Sequence, residues 1–301
     1  LHFAFPCRHD IIEAAYAKGG CRPMPNHAKI KKVTLLERLL SEGYFTSKEE
    51  ATPYLLSGEV YVGSQQVTSA AAKVDPLLPL TVHGRDMPYI SKGGLKLAGA
   101  IHDFGINVQN RVCIDAGACT GGFTDCFIKH GAALVYAVEV GFGQLAGSLR
   151  QNPRVVNLEK TNISDEKLLH LDPVPDLASV DLSYLSLCKG VPAFAQVMHG
   201  HGELLCLVKP LFETEDMEAR RTGRLSPDHY LPTLQHLIQQ LNAQPGTCVR
   251  QVTYSPVTGN NGTHEFFLHV VLGSPTPPPN LDAACQRAVE QVLALVPYHK
   301  R

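Results

Sequence analysis

The spacing of hydrophobic and polar residues changes near residue 90 of this 301-residue chain. In the early segments "VTLLERLLSEG" and "TSKEEATPYLLSG", apolar residues recur every three to four positions, which predicts two short helices. The next segment, "EVYVGSQQV", predicts a strand, a tight turn and a second strand. We therefore predict a small α+β unit over residues 33–83, followed by a linker over 84–90.

Beyond residue 90, apolar runs of strand length alternate with amphipathic segments of helix length. The predicted strands are "RVCIDAGA", "LVYAVEVG", "VVNLEK", "DLASVDLS", "GELLCLVKP", "CVRQVTYSP" and "HEFFLHVVLG". This alternation predicts an α/β fold over residues 91–273, a Rossmann-like doubly wound sheet of seven strands with one antiparallel strand. A basic extension over 1–32 precedes the two units. A proline-rich linker and a helix that packs back on the fold are predicted over 274–301.

Composition narrows the function classes. The chain is 44% hydrophobic and 18% charged, which is typical of a folded soluble protein. No apolar run reaches the roughly 18 residues of a membrane helix, and the first ten residues do not form a secretory signal. Nine cysteines without a C-x-x-C pair favour neither a disulfide framework nor a zinc site. We expect a cytoplasmic protein that needs no metal and no membrane, and its oligomeric state stays open.

The net charge of −1 gives no overall attraction to nucleic acid. Lysine and arginine are nevertheless concentrated in the basic extension over residues 1–32. Two interpretations stay open: a solvated tail, or an arm that contacts phosphates.

The stretch "CIDAGACTGGFTD" (113–125) carries the first chemical signal, because an apolar strand ends on Asp115 and glycines follow. Glycines without a Cβ let a ligand approach the backbone closely. The spacing D-x-G-x-x-x-G-G differs from the G-x-G-x-x-G of dinucleotide binding. Glu139 ends the next predicted strand, where a carboxylate accepts hydrogen bonds from ribose hydroxyls. These features favour S-adenosylmethionine as the ligand, against a glycine-rich turn with acids placed by chance.

Four charged residues lie beside other predicted apolar segments: Lys96, Asp181, Lys209 and Glu265. Each alone is more often part of a surface salt bridge, but the four together favour a site. A hydroxyl is a poor nucleophile at neutral pH, and a lysine with a lowered pKa serves as its base. The set therefore predicts transfer of a methyl group to a hydroxyl.

These residues, with further motifs, resemble the TlyA family, also described as hemolysin A-like. The motifs are "SKGGLKLAGA", "DAGACTGGFTDC", "YAVEVGFGQLAGSLRQNPRV", "TNI", "DLSYLSL", "LVKPLFE" and "SPVTGNNGTHEFFLH". That family comprises ribosomal RNA 2′-O-methyltransferases, which join an RNA-binding domain of the ribosomal-protein S-four type to an FtsJ-like methyltransferase domain. The resemblance implies that S-adenosylmethionine methylates a ribose 2′-hydroxyl of cytidine in ribosomal RNA or ribosomal subunits.

The resemblance also implies roles for individual residues. Lys209 would be the general base, and Asp181 and Lys96 would orient the base and the 2′-hydroxyl, with Glu265 completing the tetrad. Cofactor contacts would fall on Asp115, Gly117, Thr120, Gly121, Gly122, Phe123, Glu139, Asn162 and Asp181, with Phe142 and Gln144 nearby. RNA contacts are expected from Lys29, Lys31, Lys32, Lys92, Arg220, Arg221 and Arg224.

The sequence departs from the family pattern at several positions. Lys92 stands where the family usually has arginine, and Thr263 stands where asparagine is common. The small unit opens with "KVTLLERLL" instead of an arginine-leucine-aspartate motif. Three alternatives remain: a catalytically silent RNA-binding or ribosome-assembly factor, a membrane-active hemolysin, and a nicotinamide dehydrogenase. The four charged residues argue against the first, the lack of a membrane segment against the second, and the glycine spacing against the third.

Overall fold

The computed structural model describes residues 32–295, apart from positions 43, 46, 57, 77, 84–87, 183–184, 260–261 and 275. Most of the basic extension, with the predicted RNA contacts Lys29 and Lys31, lies outside the described residues. Lys32 is described and is exposed.

The small unit folds around its own hydrophobic core, to which Leu35, Leu39, Phe45 and Val60 contribute. Its helices are α1 (Leu35–Ser41) and α2 (Lys48–Leu56). Its strands are β1 (Val33–Thr34), β2 (Val60–Val62), β3 (Gln65–Gln66), β4 (Lys73–Val74) and β5 (Leu80–Val82). They form one sheet of β1 and β4 and another in the order β3-β2-β5, which confirms the predicted α+β character.

Helix α1 begins at Thr34 because side chains satisfy the free amides of its first turn. The Thr34 hydroxyl accepts from the Glu37 amide at 3.1 Å, and the Glu37 carboxylate accepts from the Thr34 amide at 2.9 Å. Further along α1, Arg38 is buried, and its Nε lies 2.5 Å from a Glu42 carboxylate oxygen. Its guanidinium also donates to the carbonyls of Asp75 and Leu78, so one buried arginine joins α1 to the loop before β5.

The large unit is a seven-stranded sheet with the order β11-β12-β10-β9-β6-β7-β8. The strands are β6 (Val112–Ala116), β7 (Leu134–Glu139), β8 (Val155–Glu159), β9 (Leu177–Val180), β10 (Gly202–Val208), β11 (Thr247–Tyr254) and β12 (Phe266–Leu272). Within this sheet, as far as the structure describes it, β12 is the strand that is antiparallel to both of its neighbours, β10 and β11. The predicted doubly wound fold with one antiparallel strand is confirmed.

Helices pack against both faces of this sheet, and two apolar clusters form the core. The helices are α3 (Lys92–Phe104), α4 (Gly122–Lys129), α5 (Gly147–Arg150), α6 (Leu187–Val197), α7 (Pro210–Glu213), α8 (Met217–Thr222), α9 (Tyr230–Asn242) and α10 (Asp282–Leu293). In α10, Cys285, Ala288 and Val292 are buried in the larger cluster, so the C-terminal helix packs back on the fold as predicted.

Strand β6 lies at the switch point of the topology, because the chain goes first to β7 on one side and later to β9 on the other. In doubly wound sheets, ligands bind at the carboxyl ends of the strands beside such a point. In the amphipathic segment "GQLAGSLRQ", only Gly147–Arg150 is helical. The residues before it instead form a loop, whose Gln144 amide donates to the Glu159 carboxylate at 2.8 Å.

Candidate active site

A loop of residues 117–121, here the glycine loop, joins the carboxyl end of β6 to α4. Gly117, Cys119 and Gly121 all have positive φ angles, of 88°, 49° and 96°. A Cβ on Gly117 would lie 2.2 Å from the Asp181 carbonyl oxygen, so the loop reaches the end of β9 only because this residue is glycine. The Gly117 amide also donates to the Val138 carbonyl at 2.9 Å, which ties the loop to β7.

Asp115 lies beneath the glycine loop rather than on its open side. Its side chain is fully buried and accepts hydrogen bonds from the hydroxyls of Thr124 at 2.6 Å and Ser179 at 2.8 Å. Burial raises the pKa of Asp115 to about 6, although the two hydroxyls partly offset this effect. Asp115 thus holds together β6, β9 and the first turn of α4, and direct cofactor contact by this residue stays a prediction.

Glu139 is the last residue of β7, and its side chain contacts the glycine loop. Its carboxylate accepts from the backbone amides of Cys119 at 2.9 Å and Gly141 at 2.8 Å, so it is fixed beside the loop. A carboxylate has room for further donors, and ribose hydroxyls are the donors that the sequence predicts. Nearby, the Phe142 ring is 72% exposed, with the Lys160 ammonium 4.6 Å from its centre.

A cavity of about 560 Å³, here the glycine-loop cavity, opens above the loop. Five of the predicted cofactor residues line it: Gly117, Thr120, Gly122, Phe123 and Asp181. Lys92, predicted to contact RNA, also lines it, as do Leu40, Ser41 and Phe45 of the small unit. The other predicted cofactor residues are not among its lining residues: Asp115, Gly121, Glu139 and Asn162.

The four predicted catalytic residues meet at the edge of the sheet because of strand order and direction. Asp181 and Lys209 follow the parallel neighbours β9 and β10 directly. Glu265 comes just before β12, and because β12 is antiparallel, its beginning lies at the same edge. The register pairs Val208 with Phe266, which brings Lys209 and Glu265 next to each other. Lys96 reaches the group from the second turn of α3.

Two ion pairs organise this group. The Lys96 ammonium lies 2.5 Å from a Glu265 carboxylate oxygen, with the two side chains 11% and 5% exposed. Lys209 forms the second pair with Asp181. Burial raises the pKa of Glu265, while Lys96 and Lys209 oppose the shift and Asp181 adds to it. All four residues therefore act on one another electrostatically.

A second cavity of about 570 Å³, here the strand-end cavity, lies on the other side of the tetrad. All four tetrad residues line it, and Lys96 and Asp181 line the glycine-loop cavity as well. The remaining walls come from residues around α7, the segment after α8, the start of α9 and the start of β12: Phe212, Arg224, Leu225, Tyr230 and His264. The charged cluster thus separates a glycine-rich site from a partly aromatic one.

The three predicted RNA-binding arginines lie in different settings. Arg220 donates to the backbone carbonyls of Thr214 and Phe212, and Arg221 pairs with Glu218 on α8. Arg224 is exposed at the strand-end cavity, and its guanidinium makes no ion pair or hydrogen bond within the described part of the chain. Of the three, Arg224 is the best placed to meet a ligand there.

Sequence reasoning missed several residues that shape these cavities. The sequence spacing around Tyr230 and His264 did not indicate a functional site, although His264 directly precedes the predicted Glu265. Ser179 lies inside an apolar strand, and only the fold shows that it faces Asp115. The contribution of Leu40 and Phe45 depends on how the small unit lies against the large one, which no local pattern encodes.

Comparison with known proteins decides the class of this site. The sequence pattern described as FtsJ-like methyltransferase matches residues 89–271, the part of the chain that carries the glycine loop and the tetrad. The chain belongs to the FtsJ-like methyltransferase family.

Relatives of this FtsJ-like methyltransferase are similar over most of their length. The "16S/23S rRNA (cytidine-2'-O)-methyltransferase TlyA" of Mycobacterium tuberculosis is 36% identical over 232 residues, 76% of this chain and 86% of the relative. "Hemolysin A" of Brachyspira hyodysenteriae is 35% identical over 237 residues, 78% of this chain and 98% of the relative. A solved structure described as "Putative hemolysin from Streptococcus thermophilus" matches with a TM-score of 0.71 and 30% identity, covering 88% of this chain and 97% of that one.

This FtsJ-like methyltransferase is an enzyme that uses S-adenosylmethionine. The glycine-loop cavity fits that group, since its volume and exposed backbone admit a nucleoside with an amino-acid tail. Within the described residues, no helix is long and apolar enough to cross a membrane.

Proposed function

We propose that this enzyme transfers a methyl group from S-adenosylmethionine to a ribose 2′-hydroxyl of cytidine in ribosomal RNA. The observation that carries the proposal is the position of the tetrad, between the glycine-loop cavity and the strand-end cavity. A methyl donor on one side and a hydroxyl on the other would approach each other at Lys96 and Asp181. The relatives named as ribosomal RNA cytidine-2′-O-methyltransferases support this choice of acceptor.

Lys209 is the proposed general base. Bound S-adenosylmethionine supplies an electrophilic methyl group. Lys209, in its neutral form, would take the proton of the 2′-hydroxyl as that oxygen accepts the methyl group. Asp181, paired with Lys209, orients the amine before transfer and stabilises the ammonium after it. After the transfer, the proton would be on Lys209 and the methyl group on the ribose oxygen.

Lys96 and Glu265 form the supporting pair. The Lys96 ammonium is held at 2.5 Å by the buried Glu265 carboxylate, so its position does not depend on the substrate. A fixed cation beside the hydroxyl stabilises negative charge that develops on the oxygen. This effect raises the reactivity of the hydroxyl.

RNA binding by the small unit, proposed as a domain over residues 33–83, is the second part of the proposal. Its core is separate from the cores of the large unit, and three of its residues line the glycine-loop cavity. RNA held by the small unit would therefore lie close to the tetrad. The basic extension and Arg224 would add phosphate contacts. We further propose a cytoplasmic location, where ribosomal subunits are available.

The experiment uses the purified full chain, S-adenosylmethionine labelled in its methyl group, and ribosomal subunits lacking the modification. Digestion of the RNA should release a labelled 2′-O-methylcytidine with the wild type. Lys209→Ala and Asp181→Ala should each reduce the label by about 100-fold or more, since general base catalysis contributes roughly 10²–10⁴-fold. His201→Ala, at the opposite edge of the sheet before β10, is the matched control.

Calorimetry with S-adenosylmethionine separates chemistry from folding, because the Lys209 variant should bind the cofactor as the wild type does. Normal turnover in that variant would exclude Lys209 as the base. Cofactor binding with no label in RNA, even from the wild type, would favour a catalytically silent RNA-binding factor or another acceptor.

A further inference from the structure

The strand-end cavity contains aromatic side chains that proton transfer and methyl transfer do not require. His264 is half-buried and lines this cavity beside the catalytic Glu265. Phe212 and Tyr230 line it as well, from α7 and from the start of α9. The tetrad explains the charged wall of this cavity, and the aromatic wall requires a separate explanation.

The His264 ring is held in place by a contact with Tyr230. The rings of Tyr230 and His264 meet edge to face, with their centroids 5.8 Å apart and their planes at 86°. Tyr230 is itself buried in the larger core cluster, where its ring meets Phe266 at 5.8 Å. Burial lowers the pKa of His264, so its ring is neutral at neutral pH. The result is a flat, uncharged and oriented ring in the cavity.

Covalent geometry places the base of the acceptor nucleotide in this cavity. The 2′-oxygen and the base are attached to neighbouring carbons of the ribose. A 2′-hydroxyl at Lys209 and Asp181 therefore brings its own base within one sugar ring of the tetrad. The cavity volume of about 570 Å³ lies within the range of roughly 300–1,000 Å³ that is usual for small-ligand pockets.

We infer that His264 is the stacking surface for the base of the target nucleotide and that Tyr230 positions its ring. This inference rests on the proposed function and adds how the acceptor is held. Unstacked RNA bases are commonly bound on aromatic faces, and enzymes that modify nucleotides take the target out of its stack. Arg224, exposed at the same cavity, meets the phosphate next to the flipped nucleotide.

The test measures single-turnover methyl transfer to unmodified ribosomal subunits at saturating S-adenosylmethionine. His264→Ala should lower the rate constant by about 10-fold or more, which is the size of one base–aromatic stacking contact. His264→Phe keeps the aromatic face and should stay within about 3-fold of the wild type. His264→Gln keeps hydrogen-bonding groups but has no aromatic face, and its rate constant should be as low as that of His264→Ala. The control is again His201→Ala, and calorimetry should give all variants the cofactor affinity of the wild type.

Rescue by phenylalanine and not by glutamine supports stacking, and a purely structural role for His264 would not produce that pattern. An unchanged rate in His264→Ala overturns the inference, as does rescue by glutamine alone. A wild type that labels no RNA overturns the proposed function itself, and this result is recognised before any variant is compared.

Discussion

At the scale of single residues, the charges at the tetrad and under the glycine loop are stabilised by a few close partners. Lys96 and Glu265 form a buried pair, and Asp115 depends on two hydroxyls. Taking such charges out of water is costly unless each partner is present. Substitutions of these residues should therefore change the free energy of unfolding, and this change can be measured independently of catalysis.

Replacing Lys96 should show this cost directly. Lys96→Met leaves the buried Glu265 carboxylate without its closest positive charge, and the free energy of unfolding should fall by about 3–5 kcal/mol at pH 7. The pKa of Glu265, already raised by burial, should rise further. Urea denaturation of the single variants and of Lys96→Met/Glu265→Gln completes a double-mutant cycle. The double variant should recover part of the loss, and simple addition of the two single effects would contradict the pairing.

Asp115 should make stability depend on pH in a defined window. Burial raises its pKa from 3.8 to about 6, so the folded state binds this proton more tightly than the unfolded chain. The contribution of the protonated group to stability is complete below pH 3.8 and is lost as pH rises to about 6. Asp115→Asn removes this titration while an amide still meets both hydroxyls.

The stability of Asp115→Asn relative to the wild type should therefore increase with pH, by about 3 kcal/mol across the window. Denaturation curves at pH 4, 5, 6 and 7 would show it. A constant difference between the two proteins would mean that Asp115 does not titrate in this range.

The clustering of the four charged residues was predictable because each one lies at or near an apolar segment, where a charge is unusual. Their catalytic roles stay a prediction. Which lysine pairs with which acid was not predictable. That pairing depends on the antiparallel direction of β12, which brings Glu265 to the same sheet edge as Lys209, and on α3, which delivers Lys96. His264 could not be identified from sequence because nothing local distinguishes it from a surface histidine.

At the scale of elements, the glycine loop has little freedom. Gly117→Ala combines a positive φ with a Cβ 2.2 Å from the Asp181 carbonyl oxygen, so the loop must move away from β9. Gly200→Ala is a matched control, because Gly200 has a φ of 79° and nothing within 4 Å of the added Cβ. The control should lose only about 1 kcal/mol of stability.

Calorimetry should show a cofactor affinity at least about 10-fold weaker for Gly117→Ala, since one displaced backbone contact costs about 1.4 kcal/mol or more. Gly200→Ala should bind normally. Equal affinities for the two variants would show that the cofactor does not need the loop close to β9.

Helix α1 of the small unit depends on Arg38. Arg38→Ala leaves the Glu42 carboxylate and two carbonyls without their donor, and should cost the small unit about 3–5 kcal/mol. Hydrogen exchange should become faster within residues 33–83 and stay unchanged within 89–271. Lys48→Ala, at an exposed position on α2, is the control, and uniform acceleration along the whole chain would contradict separate cores.

Strands of the large unit were predictable because parallel strands buried on both faces are nearly continuous apolar runs. Short helices were harder to predict. Helix α8 begins where the Asp216 carboxylate accepts from the amides of Glu218 and Ala219. Such a helix is hard to predict because the same residue types also occur often in loops. Helix α5 (Gly147–Arg150) is shorter than the amphipathic spacing of "GQLAGSLRQ" indicates. The Glu159 carboxylate accepts from backbone amides of the preceding residues and holds them as a loop.

At the scale of the whole molecule, the two units meet at the glycine-loop cavity. Removal of residues 1–88 should weaken binding of ribosomal RNA by at least about 100-fold, because many phosphate contacts are lost together. Cofactor affinity should fall far less, since among the described residues only Leu40, Ser41 and Phe45 leave the cavity wall. Filter binding and calorimetry compare the two losses, and equal losses would indicate misfolding of the large unit rather than a role of the small unit in RNA binding.

Among the residues that the structure describes, only Lys96 and Asp181 line both cavities, and this has a consequence for steady-state kinetics. A nucleoside bound above the glycine loop leaves the strand-end cavity open, and a nucleotide bound there leaves the glycine loop accessible. Both substrates can therefore be bound at the same time, and double-reciprocal plots should intersect rather than run parallel. The demethylated product S-adenosylhomocysteine should compete with the methyl donor and not with RNA.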